Sequence, residues 1–241
     1  MWGKVLGAMI GAAIAMVLAW DPLLAAVNGD DALPDLAVGR LPARTPEEAE
    51  RLVAKLLAWE DSGQGLGGRA VLVADDPDAA GDFEADVEDL RASVLAGRDT
   101  RVLRLREGAG RPEILAAFDE GASLVSYVGH GGAAVWASEN VLNTWDAPSL
   151  LAQSRQPLLL TMNCLNGYFV APSFDSLAEA FLKVDGRGAV GAFSPSGLSL
   201  DGPAHQLHRA LLGEISSERH ERLGDAVLGA QRAYAETGLM P

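Results

Sequence analysis

The sequence predicts an α/β fold, a three-layer sandwich in which helices cover both faces of a mostly parallel central sheet. Short apolar runs that end in polar residues alternate along the chain with longer stretches of helical periodicity, as is typical of βαβ units. The apolar runs are continuous, which indicates strands buried on both faces. The chain has 241 residues, 49% of them hydrophobic, enough for one domain with a full core.

Each element follows from a local pattern. The first helix begins after Thr45, the expected N-cap, because a proline and acidic residues follow it. The predicted strands are RAVLVADD (69–76), RVLRLRE (101–107), ASLVSYVG (122–129), PLLLTMN (157–163) and GAVGAFSP (188–195). The predicted helices, with apolar residues at helical spacing, cover 45–61, 83–97, 111–121, 176–186, 203–215 and 221–236. Five strands are a usual size for one sheet.

Composition excludes some classes of function. The net charge is −14 and no basic run occurs, which argues against nucleic acid as a partner because a phosphate-binding surface needs clustered Lys and Arg. An acidic protein suits a cationic substrate. A single cysteine allows no internal disulfide, so cysteine usage does not decide the compartment. The oligomeric state is not determined by these data.

The N-terminal segment, residues 1–20, differs from the rest. Residues 5–20 carry no charge and follow Lys4. This run is shorter than the ~20 residues of a spanning helix, and it resembles the charged start and apolar core of a signal peptide without a clear cleavage site. An export signal, a membrane anchor, a core element and a mispredicted start all remain open. We therefore treat residues 21–241 as the domain.

Two predicted strands end in polar residues flanked by glycine. The strand at 122–129 is followed by His130, and the strand at 157–163 is followed by Cys164, the only cysteine. Parallel strands place their carboxyl ends at one edge of a sheet, where α/β proteins bind ligands. A thiol becomes nucleophilic beside a base such as histidine. The pair predicts a catalytic dyad, with the N–H groups of Gly131 and Cys164 as oxyanion hole.

Acidic residues end the first strand and begin the next helix. Asp75 or Asp76 is expected at the same edge, where a carboxylate orients the His130 imidazole as in a catalytic triad. Asp82 and Glu84 follow in the loop and the helix start. They either hold a basic side chain of a substrate or only interact with the helix dipole.

The remaining candidate motifs, for nucleotides, serine hydrolysis and metals, are absent or lie in the wrong structural context. GQGLGG (63–68) and GRGAVG (186–191) have dinucleotide-loop spacing but lead into strands, and neither a P-loop nor G-x-S-x-G occurs. His205 and His208 lack a third ligand, so the residues predict no metal site. No organic or redox cofactor is predicted either.

Taken together, these motifs resemble the gingipain-type cysteine peptidases (peptidase family C25), relatives of caspases with a caspase–haemoglobinase fold. The matching stretches, in family order over about residues 21–235, are LAVGRLPARTPEEAERLVAKLLAWED, VLVADDPDAAGDF, SLVSYVGHGGAAVW, NCLNGYFVAPSFDSLAEAFL and GRGAVGAFSPSGLS. The resemblance implies a cysteine endopeptidase with Cys164 as nucleophile and His130 as proton carrier. Gly131 corresponds to the oxyanion contributor, and the carboxylate near the histidine falls near Asp76.

The resemblance implies further expectations. The family's acidic residue for basic P1 side chains falls within 82–84, which includes Asp82 and Glu84, and Trp136 corresponds to an aromatic residue lining the substrate groove. Bound calcium is possible by resemblance only, the substrate is a protein or peptide, and the location is extracellular or at the cell surface. Family members carry a further opening segment and a closing strand, so the domain at 21–241 is expected to be incomplete at both ends.

Two alternatives to hydrolysis remain. The first is an inactive remnant of the same fold that acts as a binding or scaffold module. The second is acyl transfer onto an amine in place of water.

Overall fold

The computed structural model describes residues 25–29 and 33–238. The apolar segment at residues 1–20 lies outside the described residues, and so does the membrane contact of residues 5–20 that the sequence leaves open. In the described ranges, no helix combines the length and apolar character needed to cross a membrane.

The central sheet has five parallel strands, which confirms the predicted fold class. The strands of the chain are, in order, β1 (Ala70–Ala74), β2 (Thr100–Arg104), β3 (Leu124–Val128), β4 (Gly131–Gly132), β5 (Val135–Trp136), β6 (Leu142–Asn143), β7 (Leu158–Met162) and β8 (Gly191–Phe193). The order in the sheet is β2-β1-β3-β7-β8, with every neighbouring pair parallel. β4, β5 and β6 form a separate antiparallel sheet.

Helices cover both faces of the central sheet. They are α1 (Pro46–Asp61), α2 (Phe83–Ala92), α3 (Arg111–Asp119), α4 (Leu177–Lys183), α5 (Asp201–Ser216) and α6 (Leu223–Glu236). Every residue of β1, β3 and β7 is buried, as a sheet covered on both sides requires. One face packs against α3 and α4 through Phe118 and Phe181, whose ring centroids are 5.1 Å apart. The other packs against α2, α5 and α6. Replacing either buried phenylalanine by alanine would cost about 3–5 kcal/mol.

A buried lysine joins α1 to the end of α4. The ammonium group of Lys55 donates to the carbonyl oxygens of Leu182 (3.0 Å), Val184 (3.1 Å) and Arg187 (2.6 Å). The last carbonyls of a helix have no partner within the helix, so Lys55 supplies donors that α4 lacks. Burial lowers the pKa of Lys55 to about 8.

The structure departs from the sequence prediction in several places. The strand predicted over 101–107 ends at Arg104, and Leu105–Glu107 form a short 3₁₀-helix. The helix predicted over 83–97 ends at Ala92, because the main chain leaves the helical hydrogen-bond pattern after Ser93, where the Leu95 N–H donates to the Leu90 carbonyl at 3.0 Å. The strand predicted over 188–195 forms only as β8. The hairpin sheet of β4, β5 and β6 was not predicted, since strands of two residues are too short to show periodicity.

Candidate active site

The register of β3 and β7 brings the two predicted reactive residues to the same edge of the sheet. Val128 pairs with Met162, and the N–H of Gly129 donates to the carbonyl of Met162 at 3.2 Å. His130 and Cys164 each follow two residues after this last pair. Because the strands are parallel neighbours, both residues leave the sheet at its carboxyl edge side by side, as the sequence predicts.

The imidazole of His130 is held by Asp78. Its Nε2 donates to the Asp78 carboxylate at 2.9 Å, and the edge of the ring meets Phe83 at a centroid distance of 5.3 Å. The N–H of Ala80 first, and then the His130 ring, lower the pKa of Asp78. Both side chains are about half exposed, 45% for His130 and 49% for Asp78, so water weakens this ion pair.

Asp75 fixes the main chain of His130. Its buried carboxylate accepts hydrogen bonds from the His130 N–H (2.8 Å), the Tyr127 hydroxyl (3.0 Å) and the Asp76 N–H (2.9 Å). Burial first, and then the charge of Asp75, raise the pKa of Tyr127 above its usual value. A buried carboxylate with three donors is well satisfied, so Asp75 serves as a rigid anchor for the loop.

The predicted orienting residue, Asp76, has a different position. It is exposed, and in the described part of the chain its carboxylate makes no hydrogen bond or ion pair. The carboxylate on the ring is that of Asp78, which sequence reasoning missed. Asp78 turns back because its N–H donates to Gly81 and its carboxylate accepts from Ala80 at 2.7 Å. The only indication in the sequence was that Asp78 is a third acidic residue in the loop that begins with Asp75 and Asp76.

Cys164 lies against the main chain of Ser199. The Ser199 N–H donates to Sγ at 3.4 Å, and Sγ lies 3.7 Å from the Ser199 carbonyl. Among the residues that the structure describes, Sγ makes no hydrogen bond with the His130 ring. The predicted thiol–imidazole contact is therefore not made in this conformation.

The N–H of Gly131 points away from its own hairpin. The His130 carbonyl accepts from the Ala137 N–H at 2.9 Å, so the Gly131–Trp136 pair of β4 and β5 is of the non-hydrogen-bonded kind. On its other side Gly131 meets Asn163, since a Cβ there would lie 2.2 Å from the Asn163 Nδ2. A side chain at position 131 would therefore collide with Asn163.

The residues predicted to bind substrate have other partners. Asp82 is the N-cap of α2 and accepts from the Ala85 N–H at 3.0 Å. Glu84 pairs with Arg106 at 2.8 Å. Trp136 is fully buried, so its ring cannot line a groove as the resemblance implied.

Trp136 instead has a structural position inside the hairpin. Its ring stacks on Tyr127 at a centroid distance of 4.4 Å, and its Nε1 donates to the side-chain oxygen of Asn166 at 2.6 Å. A buried indole normally requires such a partner for its N–H. Trp136 therefore connects the hairpin both to β3 and to the loop that follows Cys164.

Sequence reasoning also missed a pair of neighbouring carboxyl groups, those of Asp86 and Asp201. Burial first, and then the carboxyl group of Asp201, raise the pKa of Asp86 to about 7. Asp86 lies on α2, and Asp201 begins α5 two residues after Ser199.

Across residues 25–29 and 33–238, no group of three or more His, Cys, Asp or Glu side chains could hold a metal ion. The calcium that the resemblance allows stays a prediction.

Comparisons with known proteins agree with this arrangement. A family model described as "Peptidase family C25" matches residues 9–240. Gingipain R2 of Porphyromonas gingivalis is 24% identical over 180 residues, which cover 70% of this chain and 24% of that protein. Gingipain R1 of the same organism is 24% identical over 180 residues, 70% of this chain and 18% of that protein. The chain thus spans a quarter or less of the length of these curated relatives.

Two solved structures share the fold. The crystal structure of the Arg-specific cysteine proteinase gingipain R (RgpB) has a TM-score of 0.77 at 19% identity, covering 90% of this chain and 54% of that one. The complex of Porphyromonas gingivalis RgpB pro- and mature domains has a TM-score of 0.76 at 18% identity, covering 90% and 55%. The parallel sheet flanked by helices is therefore the caspase-like sandwich of these proteins.

Proposed function

The chain belongs to peptidase family C25, and from this premise we propose that it is a cysteine endopeptidase in which Cys164 is the nucleophile and His130 the general base. The observation that carries the proposal is the register of β3 and β7, which sends both residues out of the same sheet edge at equal distance from their last paired residues. The chain spans only part of its relatives, so the activity is proposed for this chain on its own residues.

The mechanism assigns each nitrogen of His130 a task. Nε2 donates to Asp78, which leaves Nδ1 to take the proton of the Cys164 thiol once Sγ turns away from Ser199. The thiolate attacks the carbonyl carbon of the peptide and forms the C–S bond. The N–H groups of Gly131 and Cys164 donate to the oxyanion, and a donor of this kind is worth about 10²–10³ in kcat.

The remaining steps return the enzyme to its starting state. His130 gives its proton to the leaving amine as the C–N bond breaks, which leaves a thioester on Cys164. Water, deprotonated by His130, attacks the thioester and releases a carboxylic acid. The proton on His130 then restores the thiol.

The proposed substrate is a protein or peptide with a basic residue at P1. The carboxylate of Asp78 lies on the His130 ring, Asp82 caps the helix whose first residue, Phe83, meets that ring, and the net charge is −14, which favours a cationic ligand. One structural relative is described as Arg specific. An extracellular or cell-surface location is proposed from the family resemblance.

Active-site labelling tests the proposal. Peptidyl acyloxymethyl ketones with Arg, Lys or Asp at P1 are incubated with the wild type, Cys164→Ala, His130→Ala and, as a control distant in the fold, His220→Ala. We expect mass spectrometry to find the label on Cys164 in the wild type and the control only, with Arg or Lys preferred. A folded wild type that stays unlabelled would favour the non-catalytic remnant. Faster acyl-enzyme breakdown with an added amine would indicate acyl transfer.

A further inference from the structure

We propose that Asn163 and Asn166 are positioning residues that hold the Gly131 N–H beside Cys164 as one donor of the oxyanion hole. This inference rests on the proposed function, because the donor matters for catalysis only if Cys164 attacks a carbonyl group. Both asparagines are buried, so both would act through the main chain of Gly131.

Asn166 ties the hairpin that carries Gly131 to the loop that carries Cys164. Its Nδ2 donates to the carbonyls of Gly132 (2.5 Å) and Val135 (3.2 Å). Its Oδ1 accepts from the Trp136 Nε1 (2.6 Å) and the Asn163 Nδ2 (2.7 Å). Two donors and two acceptor sites are all that one amide offers, so every hydrogen-bonding position of Asn166 is used.

These partners determine the orientation of both amides. The indole of Trp136 only donates and the carbonyl oxygens of Gly132 and Val135 only accept, so Asn166 has one possible orientation. Asn163 must then turn its Nδ2 toward Asn166, and its own Oδ1 is left buried without a hydrogen-bond partner in the described structure. A buried acceptor without a donor destabilises the folded state. The side chain of Asn163 is therefore not explained by stability.

The position of Asn163 indicates a role. Its residue is 3% exposed, and its amide lies against the α-carbon of Gly131, where a Cβ would be 2.2 Å from Nδ2. Asn163 directly precedes Cys164 in the chain. The same side chain therefore contacts Gly131 and belongs to the segment that carries the nucleophile.

The peptide between His130 and Gly131 is fixed from its other side as well. The His130 carbonyl accepts from the Ala137 N–H (2.9 Å) and lies 2.7 Å from the Tyr127 hydroxyl, whose single proton it shares with the Asp75 carboxylate. A trans peptide points its N–H opposite to its carbonyl, so the Gly131 N–H faces away from both donors. In the described part of the chain, neither this N–H nor that of Cys164 has a hydrogen-bond acceptor. Two free donors thus flank the Asn163–Asn166 contact.

The test separates positioning from structural support. Removing the Asn163 amide by Asn163→Ala also removes the unpaired Oδ1, so we expect the melting temperature to stay the same or rise. We expect kcat to fall about 10–100-fold, because a displacement of about 1 Å costs up to 10²-fold. KM should stay within about twofold. Asn143→Ala, which removes an asparagine from β6 of the same small sheet, is the matched control, and it should leave kcat unchanged.

Two thiol reagents distinguish an effect on the oxyanion hole from an effect on the reactivity of the Cys164 thiol. A peptidyl aldehyde forms a tetrahedral adduct whose oxygen needs the hole, whereas iodoacetamide alkylates Cys164 without one. In Asn163→Ala we expect the aldehyde to bind more weakly in proportion to kcat and the alkylation rate to stay unchanged. An unchanged kcat in the folded variant, or an alkylation rate that falls as much as kcat, would overturn the inference. Asn166→Asp, which loses both donors to the hairpin, should show the same pattern as a second variant.

Failure of the proposed function is distinguishable from failure of the inference. If the wild type neither hydrolyses peptides nor reacts with the ketones, the function fails. The NMR chemical shifts of the Gly131 amide ¹⁵N and ¹H then test, without any assay of activity, whether Asn163 positions this N–H. We expect them to move in Asn163→Ala and not in Asn143→Ala, and shifts equal to the wild type in both variants would refute it.

Discussion

Replacing Gly131 by alanine tests the geometry of the site most directly. A Cβ at this position would lie 2.2 Å from the Nδ2 and 2.8 Å from the Cγ of Asn163, about 1.2 Å short of the 3.4 Å at which ordinary contact begins. Gly131 does not have a positive φ, so alanine adds no backbone strain there. The entire effect is the steric displacement of Gly131 from Asn163.

The size of the effect follows from that displacement. Overpacking of this kind costs about 1–3 kcal/mol, which lowers the melting temperature by roughly 2–12 °C in a chain of this size. If Gly131 moves instead, its N–H leaves the oxyanion position, and kcat/KM falls about 100-fold. The neighbouring Gly132→Ala is the control, because its Cβ would meet only the Val135 Cγ1 at 3.4 Å.

The assay is hydrolysis of a fluorogenic peptide that carries the P1 residue preferred in labelling, with circular dichroism to establish folding. We expect Gly132→Ala to retain wild-type kcat/KM within about threefold. A folded Gly131→Ala that also stays within threefold would refute the assignment of Gly131 to the oxyanion hole.

Three further variants test individual contacts. Asp78→Asn should lower kcat/KM about tenfold by weakening the hold on the His130 ring, whereas Asp76→Asn should not change it; equal losses in a steady-state assay would contradict the structure. Lys55→Met should lower the melting temperature by about 5 °C, since α4 loses charged donors; an unchanged calorimetric transition would show that the end of α4 needs no buried cation. Burial raises the pKa of Asp86 to about 7, so the native state binds more protons than the unfolded state between about pH 4 and 7, and stability falls as pH rises through that window. Asp86→Asn should flatten this decline, and two parallel curves of melting temperature against pH would count against it.

The central sheet was predictable because its strands are buried on both faces. β1, β3 and β7 are buried throughout and mostly apolar, with Ser126 and Thr161 as the polar residues of β3 and β7, so they could be recognised without deciding which face is buried. His130 and Cys164 were predictable for a related reason, since each is the polar residue that follows such a run. The edge strand β8 was overestimated, because only three residues pair with β7 although the apolar run is longer.

The rest of the site depends on contacts between distant segments. Asp78 reaches the His130 ring only because its loop turns back on Gly81. Hydrophobic periodicity in the sequence does not predict such a turn. Trp136 was predicted to face substrate, but the hairpin folds its ring onto Tyr127. The role of Asn166 depends on four partners, none of which a local pattern connects to it.

The pairing of β3 with β7 also restricts how this sequence can change in length. Side chains alternate between the faces of a strand, so inserting or deleting one residue ahead of Val128 or Met162 would turn only one of the two reactive side chains to the opposite face. The stretch at 144–157 between β6 and β7 is under no such restriction, because a longer connection leaves the register intact. Lineages of this protein should therefore differ in the length of that connection while both strands keep a constant number of residues.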